Sequence, residues 1–217
     1  MVGDFDKERI KRIHLPEIVL SEKPLGVFKK FAEDVISKNE LVLFSRVDDK
    51  KFRIIQLFAR KYKKKIRKYN TLIAVGKKQK EKKTKIGIIA GGLADYPWVE
   101  EAKGLLEELG VKVIVEIDKG LAHPERTKKA VERLEKENVK SIIAVAGREG
   151  ALFTYVAATT KLPVIALPTP VGYGFNAGFS ALSSALQSCS PGLVTVNIGD
   201  SVNAALAALR IINLLND

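Results

Sequence analysis

Five short apolar segments, each leading into a turn of small residues, dominate the sequence from Lys85 onward, and helical patterns separate and follow them. In chain order they are IGIIAGG (86–92), VKVIVEID (111–118), SIIAVAG (141–147), LPVIALPT (162–169) and VTVNIG (194–199). β-Branched runs of this kind are typical of strands buried on both faces, and the intervening helices have the length of crossovers between parallel strands. The alternation predicts an α/β, doubly wound, three-layer parallel sheet.

Residues 1–80 lack this alternation and predict a separate, small N-terminal α/β domain. Within them we expect one strand at ELVLFSRV (40–47), a helix at FRIIQLFARKYKKK (52–65) and a second strand at YNTLIAVG (69–76), after a polar N-terminal stretch. The segment GKKQKEKKTK (76–85) has the charge density of an exposed, self-repelling linker. The predicted boundaries are therefore 1–80 and 81–217.

Positive charge is concentrated in one segment. Between Lys50 and Lys85 there are sixteen Lys or Arg and one acidic residue, so the rest of a chain of net charge +12 is slightly negative. Phe58, Tyr62 and Tyr69 interleave with these cations, as in many nucleic-acid binders. Apolar residues at helical spacing more often face a core while lysines stay solvated, so we consider nucleic acid an unlikely partner and attraction of an anionic substrate an open alternative.

The single cysteine cannot form an internal disulfide, and the charged start of the chain does not resemble a secretory signal, so we expect a cytoplasmic protein. From 151 to 199 the only charged residue is Lys161, but four prolines interrupt this stretch. A spanning helix needs about twenty consecutive apolar residues, so we predict no membrane segment.

Small, turn-forming residues end four of the predicted strands, in AGGLAD (90–95), AGREG (146–150), PTPVGYG (168–174) and NIGD (197–200). In an open parallel sheet, ligands bind beyond the carboxyl ends of the strands. Glycine backbone amides and the following helix N-termini suit phosphate or carboxylate, which makes Gly91 and Gly92 candidate binding residues. The alternative is that strand-to-helix turns use glycine whatever the function.

Four other residues just past the carboxyl ends of predicted strands could take part in catalysis or binding. In DKGLAHPERT, His123 could shuttle protons and Arg126 could hold a phosphate, although a histidine beside a proline is as often a surface residue. Glu149 could be a general base or only stabilise a helix in its first turn. Asp95 is placed as the N-cap of a helix from about Tyr96.

Cys189 lies in PVGYGFNAGFSALSSALQSCSPG (170–192), a stretch without a charged side chain. A lone cysteine is commonly a small buried hydrophobe. Its serine neighbours and the break at Pro191–Gly192 place it at a helix end, where a nucleophile is more plausible.

These motifs resemble a known fold family. GGLADYPWVEEAKGLLEELGV and LAHPERT are similar to segments of the aminoimidazole ribonucleotide carboxylases, the PurE family, whose fold is flavodoxin/Rossmann-type. AGREGALFTYV, the block from PVIALPTPVGYG to SCSPG, and VTVNI resemble a related branch, the LarB family of nickel-pincer cofactor biosynthesis. LPEIVLSEK (15–23) and VLFSRVD (42–48) extend that resemblance into the N-terminal domain.

The LarB resemblance implies an enzyme that carboxylates the pyridinium ring of nicotinic acid adenine dinucleotide and hydrolyses its phosphoanhydride, releasing AMP. CO2 or bicarbonate would be the co-substrate; Mg2+ is left open, and no metal-ligating residue is identified. Cys189 would be the nucleophile and Asp95 a proton or metal residue. The residues implied to line the nucleotide are Gly147, Gly150, Thr169, Gly172, Tyr173 and Gly174.

Two other functions stay open. One is an aminoimidazole ribonucleotide carboxylase or mutase of purine biosynthesis, in which His123 would transfer the proton. The other is a catalytically silent nucleotide-binding paralogue, because the chain departs from the family pattern at Gly92-Leu93-Ala94, which lacks a hydroxyl, and at Arg148, where an apolar residue is usual. Both related families imply a homo-oligomer, commonly an octamer, and we expect part of 170–190 to be buried between subunits.

Overall fold

The computed structural model describes residues 5–173 and 178–215. The chain divides into two compact units, Met1–Lys80 and Glu81–Asp217. Within the described stretches, no helix is both long enough and apolar enough to cross a bilayer.

The N-terminal unit is a four-stranded mixed sheet with helices. Its strands lie in the order β1-β2-β4-β3, with β1 parallel to β2 and β4 antiparallel to both β2 and β3. One face of this sheet packs against α2 and α3 through fully buried side chains such as Phe28, Phe44 and Ile55. The elements are α1 (Arg9–Ile13), β1 (Ile18–Leu20), α2 (Leu25–Lys38), β2 (Leu41–Ser45), α3 (Asp49–Lys61), β3 (Ile66–Tyr69) and β4 (Leu72–Gly76).

The predicted small α/β character of this unit is confirmed, but several of its elements differ from the prediction: α1, β1 and α2 were not predicted, and the helix predicted at 52–65 is Asp49–Lys61. The segment 69–76 is not one strand: β3 ends at Tyr69 and β4 begins at Leu72, with Asn70 at a φ of 49° between them. A two-residue loop of this kind turns the chain back, and asparagine tolerates the left-handed backbone better than most residues. The helix α2 lies in the stretch predicted only as polar, although its buried residues follow the helical period.

The basic segment is organised by the apolar side of α3. Phe58 is buried in the core of the N-terminal unit, while Lys50, Arg53 and Arg60 are exposed on the same helix. Tyr62 is half-buried and lies 3.3 Å from a carboxylate oxygen of Glu33. The aromatic side chains within and just after this helix therefore support the core and do not form an exposed stacking surface.

The second unit has the predicted alternation of strands and helices. All five strands are parallel and lie in the order β6-β5-β7-β8-β9. The elements are β5 (Lys85–Ala90), a 3-10 turn (Leu93–Asp95), α4 (Tyr96–Glu108), β6 (Lys112–Glu116), α5 (Pro124–Lys136), β7 (Val139–Ala146), α6 (Ala151–Thr159), β8 (Val164–Pro168), α7 (Phe179–Leu186), β9 (Val194–Thr195) and α8 (Ser201–Leu214).

The helices cover both faces of this sheet. The pair α4 and α8 packs together on one face, and α5, α6 and α7 form a continuous layer on the other. Phe153, Val156 and Leu134 are buried between that layer and the strands. The predicted doubly wound, three-layer sheet is confirmed. The last strand is shorter than the predicted 194–199, because only Val194 and Thr195 pair with β8 at the edge of the sheet.

A glycine substitution pair tests the packing of the N-terminal sheet. Gly76 has a φ of +114°, and a Cβ added there would lie 1.9 Å from the Glu40 carbonyl oxygen. We expect Gly76→Ala to lower the free energy of unfolding of this unit by about 3 kcal/mol. In the matched control Gly26→Ala, the added methyl group meets no described atom within 4 Å, and alanine favours a helix by up to about 1 kcal/mol. Hydrogen exchange of the β2 and β4 amides would measure both effects, and equal protection in the two variants would contradict the packing.

Candidate functional site

A cleft lies beyond the carboxyl ends of β5 and β7, two neighbouring strands of the parallel sheet. The neighbouring strands β5 and β7 continue into α4 and α6, and these two helices lie on opposite faces of the sheet. The loops after β5 and β7 therefore diverge, which is where doubly wound sheets bind ligands. The cleft has a volume of about 410 Å³ and is lined by residues 91–95, 120–122, 146–152 and 171.

Asp95 is the buried carboxylate of this cleft. Only 4% of its surface is exposed. The Gly92 N–H donates to its Oδ2 at 3.0 Å, and the Thr169 hydroxyl donates to its Oδ1 at 2.7 Å. Asp95 occupies the N-cap position of α4, as expected, but its side chain does not cap the helix. It instead ties the turn after β5 to the end of β8.

Burial sets the ionisation of this group. Desolvation raises the pKa of the Asp95 carboxyl above its ordinary value, and hydrogen bonds from Thr169 and from the backbone of Gly92 and Gly147 act against that rise, as does the charge of Arg148. A carboxyl group with a raised pKa can exchange a proton closer to neutral pH than an exposed one. Asp95 is therefore suited to hold or accept a proton at the floor of the cleft.

The wall of the cleft formed by the turn after β7 packs closely, at Gly147, against the residues that follow β8. A Cβ at this position would lie 2.2 Å from the Val171 carbonyl oxygen and 2.8 Å from the Thr169 Oγ1. Only glycine permits this approach. The approach keeps Thr169 within reach of Asp95.

Arg148 and Glu149 follow directly on this wall. Arg148 has a φ of 51°, its N–H donates to the Val171 carbonyl at 2.7 Å, and its guanidinium carbon lies 5.5 Å from the centre of the Tyr173 ring. Glu149 precedes Gly150, the N-cap of α6, so the expectation that it lies in the first turn of that helix is wrong. Glu149 still belongs to the turn after β7, because α6 begins only at Ala151.

The structure brings several of the predicted residues together. Those that line the cleft are Gly91, Gly92, Asp95, Gly147, Glu149 and Gly150. Thr169 is fully buried behind Asp95, and Gly172 and Tyr173 are exposed beside Arg148. Gly174 lies outside the described residues. Sequence reasoning treated Arg148 only as a departure from a family pattern, and its left-handed backbone was the feature that residue types alone did not indicate.

His123 and Arg126 are not among the residues that line the cleft. The turn after β6 places Gly120, Leu121 and Ala122 there instead. His123 is exposed, and Arg126 pairs with Asp118 at 2.5 Å. The loop is anchored by the Thr127 hydroxyl, which donates to the Lys119 carbonyl at 2.8 Å.

Cys189 is exposed and is also not part of the lining. It sits in the turn between α7 and β9, and that turn is fastened to α6. The Ser190 hydroxyl donates to the Thr154 carbonyl at 2.8 Å, and the Ser188 and Thr154 hydroxyls lie 2.9 Å apart. Thr154 is in the first turn of the helix that begins at the cleft.

The potential metal ligands do not cluster. Across residues 5–173 and 178–215, no group of three or more His, Cys, Asp or Glu side chains is arranged to hold a metal ion.

The fold and the cleft agree with the family assignment. The AIR carboxylase family model matches residues 85–217, which is the whole parallel-sheet unit. This chain belongs to the AIR carboxylase (PurE) family. A crystal structure of Treponema denticola PurE superposes with a TM-score of 0.52 at 28% identity, covering 61% of this chain and 82% of that one.

Two curated relatives differ in how much of the chain they match. An uncharacterized protein of Methanocaldococcus jannaschii, MJ0165, is 36% identical over 98% of this chain and 84% of its own length. The N5-carboxyaminoimidazole ribonucleotide mutase of Pyrococcus horikoshii is also 36% identical, but over 62% of this chain and 76% of its own length. The first match includes the N-terminal unit.

The Thr169–Asp95 hydrogen bond generates a pH-dependent prediction. Because the pKa of Asp95 is raised, the folded state binds more protons than the unfolded state at pH values between 3.8, the ordinary pKa, and the pKa in the folded protein. The free energy of unfolding therefore falls as the pH rises between these two values. Thr169→Val removes a donor to the ionised form, so we expect a still higher Asp95 pKa and a loss of about 1–3 kcal/mol at neutral pH.

Carboxyl carbon NMR titration would measure the pKa directly, and denaturation from about pH 4 upward would measure the stability. Asp95→Asn is the matched control, since an amide does not titrate and the falling limb should disappear. An Asp95 pKa that stays the same or drops in Thr169→Val would show that the hydroxyl does not support the carboxylate.

Proposed function

We propose that the protein is a nucleotide carboxylase of the LarB type, which carboxylates the pyridinium ring of nicotinic acid adenine dinucleotide and releases AMP. The observation that carries the proposal is the exposed thiol of Cys189, held in a turn that is fastened to the first turn of α6. That helix begins at the cleft. A nucleotide anchored in the cleft can extend toward this turn.

The relatives differ in whether the match includes the N-terminal unit. The match to the M. jannaschii protein spans both units, whereas the matched mutases cover about 60% of this chain. The resemblance to the LarB family likewise continues into the N-terminal unit. The matched mutases therefore do not account for the N-terminal unit.

The chemistry assigns a distinct step to each group. The Cys189 thiolate adds to the electron-poor ring, which becomes an enamine-like carbon nucleophile and attacks CO2. Loss of the ring proton then expels the thiolate and restores aromaticity, so the cysteine returns unchanged. Asp95 is the proposed proton acceptor, and one water adds across the phosphoanhydride to give AMP and the carboxylated mononucleotide.

A second candidate is an aminoimidazole ribonucleotide carboxylase or mutase. The identity to the Pyrococcus mutase favours it. His123 would then transfer the proton, but its side chain is exposed and outside the cleft lining. A silent nucleotide-binding paralogue is the third candidate, and it is separated from the other two by turnover alone.

Turnover of the two substrates tests the mechanism. The protein is incubated with bicarbonate, Mg2+ and either nicotinic acid adenine dinucleotide or aminoimidazole ribonucleotide, and mass gain and AMP release are followed. We expect carboxylation of the dinucleotide, and we expect Cys189→Ala to lower kcat by about 10³-fold or more while dinucleotide binding is kept. Ser180→Ala, an exposed position in α7, is the matched control.

Each other result selects a different function. If Cys189→Ala still carboxylated the dinucleotide, the thiolate mechanism would be contradicted. Carboxylation of aminoimidazole ribonucleotide alone would establish the second candidate, and no turnover of either substrate would leave the silent paralogue.

We also propose that the chain assembles as a homo-oligomer, with an octamer expected. Phe179, Leu186 and Val194 are 56%, 68% and 55% exposed; Leu186 and Val194 flank the turn that carries Cys189, and Phe179 begins the helix before it. Large exposed apolar side chains in a charge-free segment are typical of interfaces between subunits. Light scattering should give the mass of several chains, and Leu186→Lys should shift it toward the monomer. A monomeric wild-type protein would contradict the interface.

A further inference from the structure

Among the described residues that line the cleft, one side chain, that of Arg148, can donate hydrogen bonds to an anion. Of these described lining residues, only Asp95, Arg148 and Glu149 have polar side chains, and the two acids can accept but not donate when ionised. Arg148 is exposed, and no ion pair or side-chain hydrogen bond links its guanidinium to another residue in the described parts of the chain. Its hydrogen-bonding capacity is therefore available to a ligand.

Contacts of the backbone and of the side chain both fix the position of Arg148. The left-handed φ of 51° is unfavourable for a residue with a Cβ, and the bond from its N–H to the Val171 carbonyl holds it there. The guanidinium carbon lies over the Tyr173 ring, 5.5 Å from its centre, and the ring is itself 85% exposed. A cation over an aromatic face keeps its N–H donors free for other partners.

We propose that Arg148 is the specificity-determining residue that binds the phosphate of the nucleotide substrate. This inference rests on the proposed function, because a nucleotide brings a phosphate into a cleft that already holds two carboxylates. An anion so placed needs a cation with paired donors, and the guanidinium fork matches phosphate oxygens in a bidentate manner. The first turn of α6 continues the same wall and adds partial positive charge.

A different role for the same residue would be to neutralise Glu149. The two side chains are neighbours in sequence and both line the cleft, but no ion pair between them is present. The two roles predict opposite behaviour of a double variant. If Arg148 only offsets Glu149, removing both charges restores ligand affinity, whereas a phosphate-binding arginine leaves the double variant weak.

Three probes separate phosphate from carboxylate recognition in the full chain. Nicotinic acid mononucleotide carries both groups, nicotinamide mononucleotide carries only the phosphate, and nicotinic acid riboside carries only the carboxylate. By calorimetry we expect Arg148→Gln to weaken both mononucleotides by about 10–100-fold and to change riboside affinity by less than about threefold. Arg148→Lys should recover part of the loss, because it keeps the charge but not the fork.

Variants at the same backbone position control for folding. Arg148→Asn tolerates the left-handed conformation better than glutamine does and should show the same pattern of affinities. The Arg148→Gln, Glu149→Gln double variant should remain weak toward the mononucleotides. In the carboxylation assay, Arg148→Gln should raise KM by about the same factor and leave kcat within about threefold.

The binding measurements test this inference without any turnover of the substrate. Equal weakening of the riboside would assign Arg148 to a carboxylate, restored affinity in the double variant would assign it to Glu149, and unchanged or absent mononucleotide binding would remove it from the site. Failure of the proposed function would look different. Turnover of the dinucleotide would be missing while the phosphate-dependent loss of affinity in Arg148→Gln remained.

Discussion

The hydrogen bond from the Thr169 hydroxyl to the Asp95 carboxylate holds the candidate site together. It joins residues 74 positions apart in the chain, at the ends of β5 and β8, and both side chains are buried. A buried carboxylate without donors would be costly, so the cleft depends on this contact and on the Gly92 N–H. The close approach at Gly147 makes the contact possible, because a larger residue would push Val171 and Thr169 away.

The same arrangement divides the cleft into regions of different chemistry. The floor holds a carboxyl whose pKa is raised by burial, so it can hold a proton. The wall after β7 presents Arg148 and Glu149 to the open space. The thiol of Cys189 lies beyond the lining, on a turn bound to α6. The proposed function therefore requires a substrate that contacts both the cleft and this thiol.

Local patterns in the sequence account for most of the parallel-sheet unit. Apolar runs such as 86–90 and 142–145 are buried on both faces, so their composition alone indicates strands, and the glycines at their ends indicate the location of the cleft. The partner of Asp95 was not predictable in this way, since nothing local distinguishes Thr169 from other residues after a strand. The placement of His123 outside the cleft lining was not predictable for a related reason: strand position does not say which residue of a long turn faces the cleft.

The errors in the N-terminal unit have a local origin. Asn70 allows a two-residue turn inside a run of strand-forming residues, and no glycine or proline marks that turn in the sequence. In α2 the helical period was present but was carried by Phe28, Phe31 and Val35 among many charged residues.

Arg148 shows how a departure from a family pattern becomes informative only with a structure. As a sequence feature it marks a charged residue in a turn of small ones. With its backbone held in the left-handed region and its guanidinium over the Tyr173 ring, it becomes the one side-chain donor among the described residues that line the cleft. Electrostatics then favours an anion that reaches the guanidinium, because the other charged side chains among the described lining residues, Asp95 and Glu149, are acids.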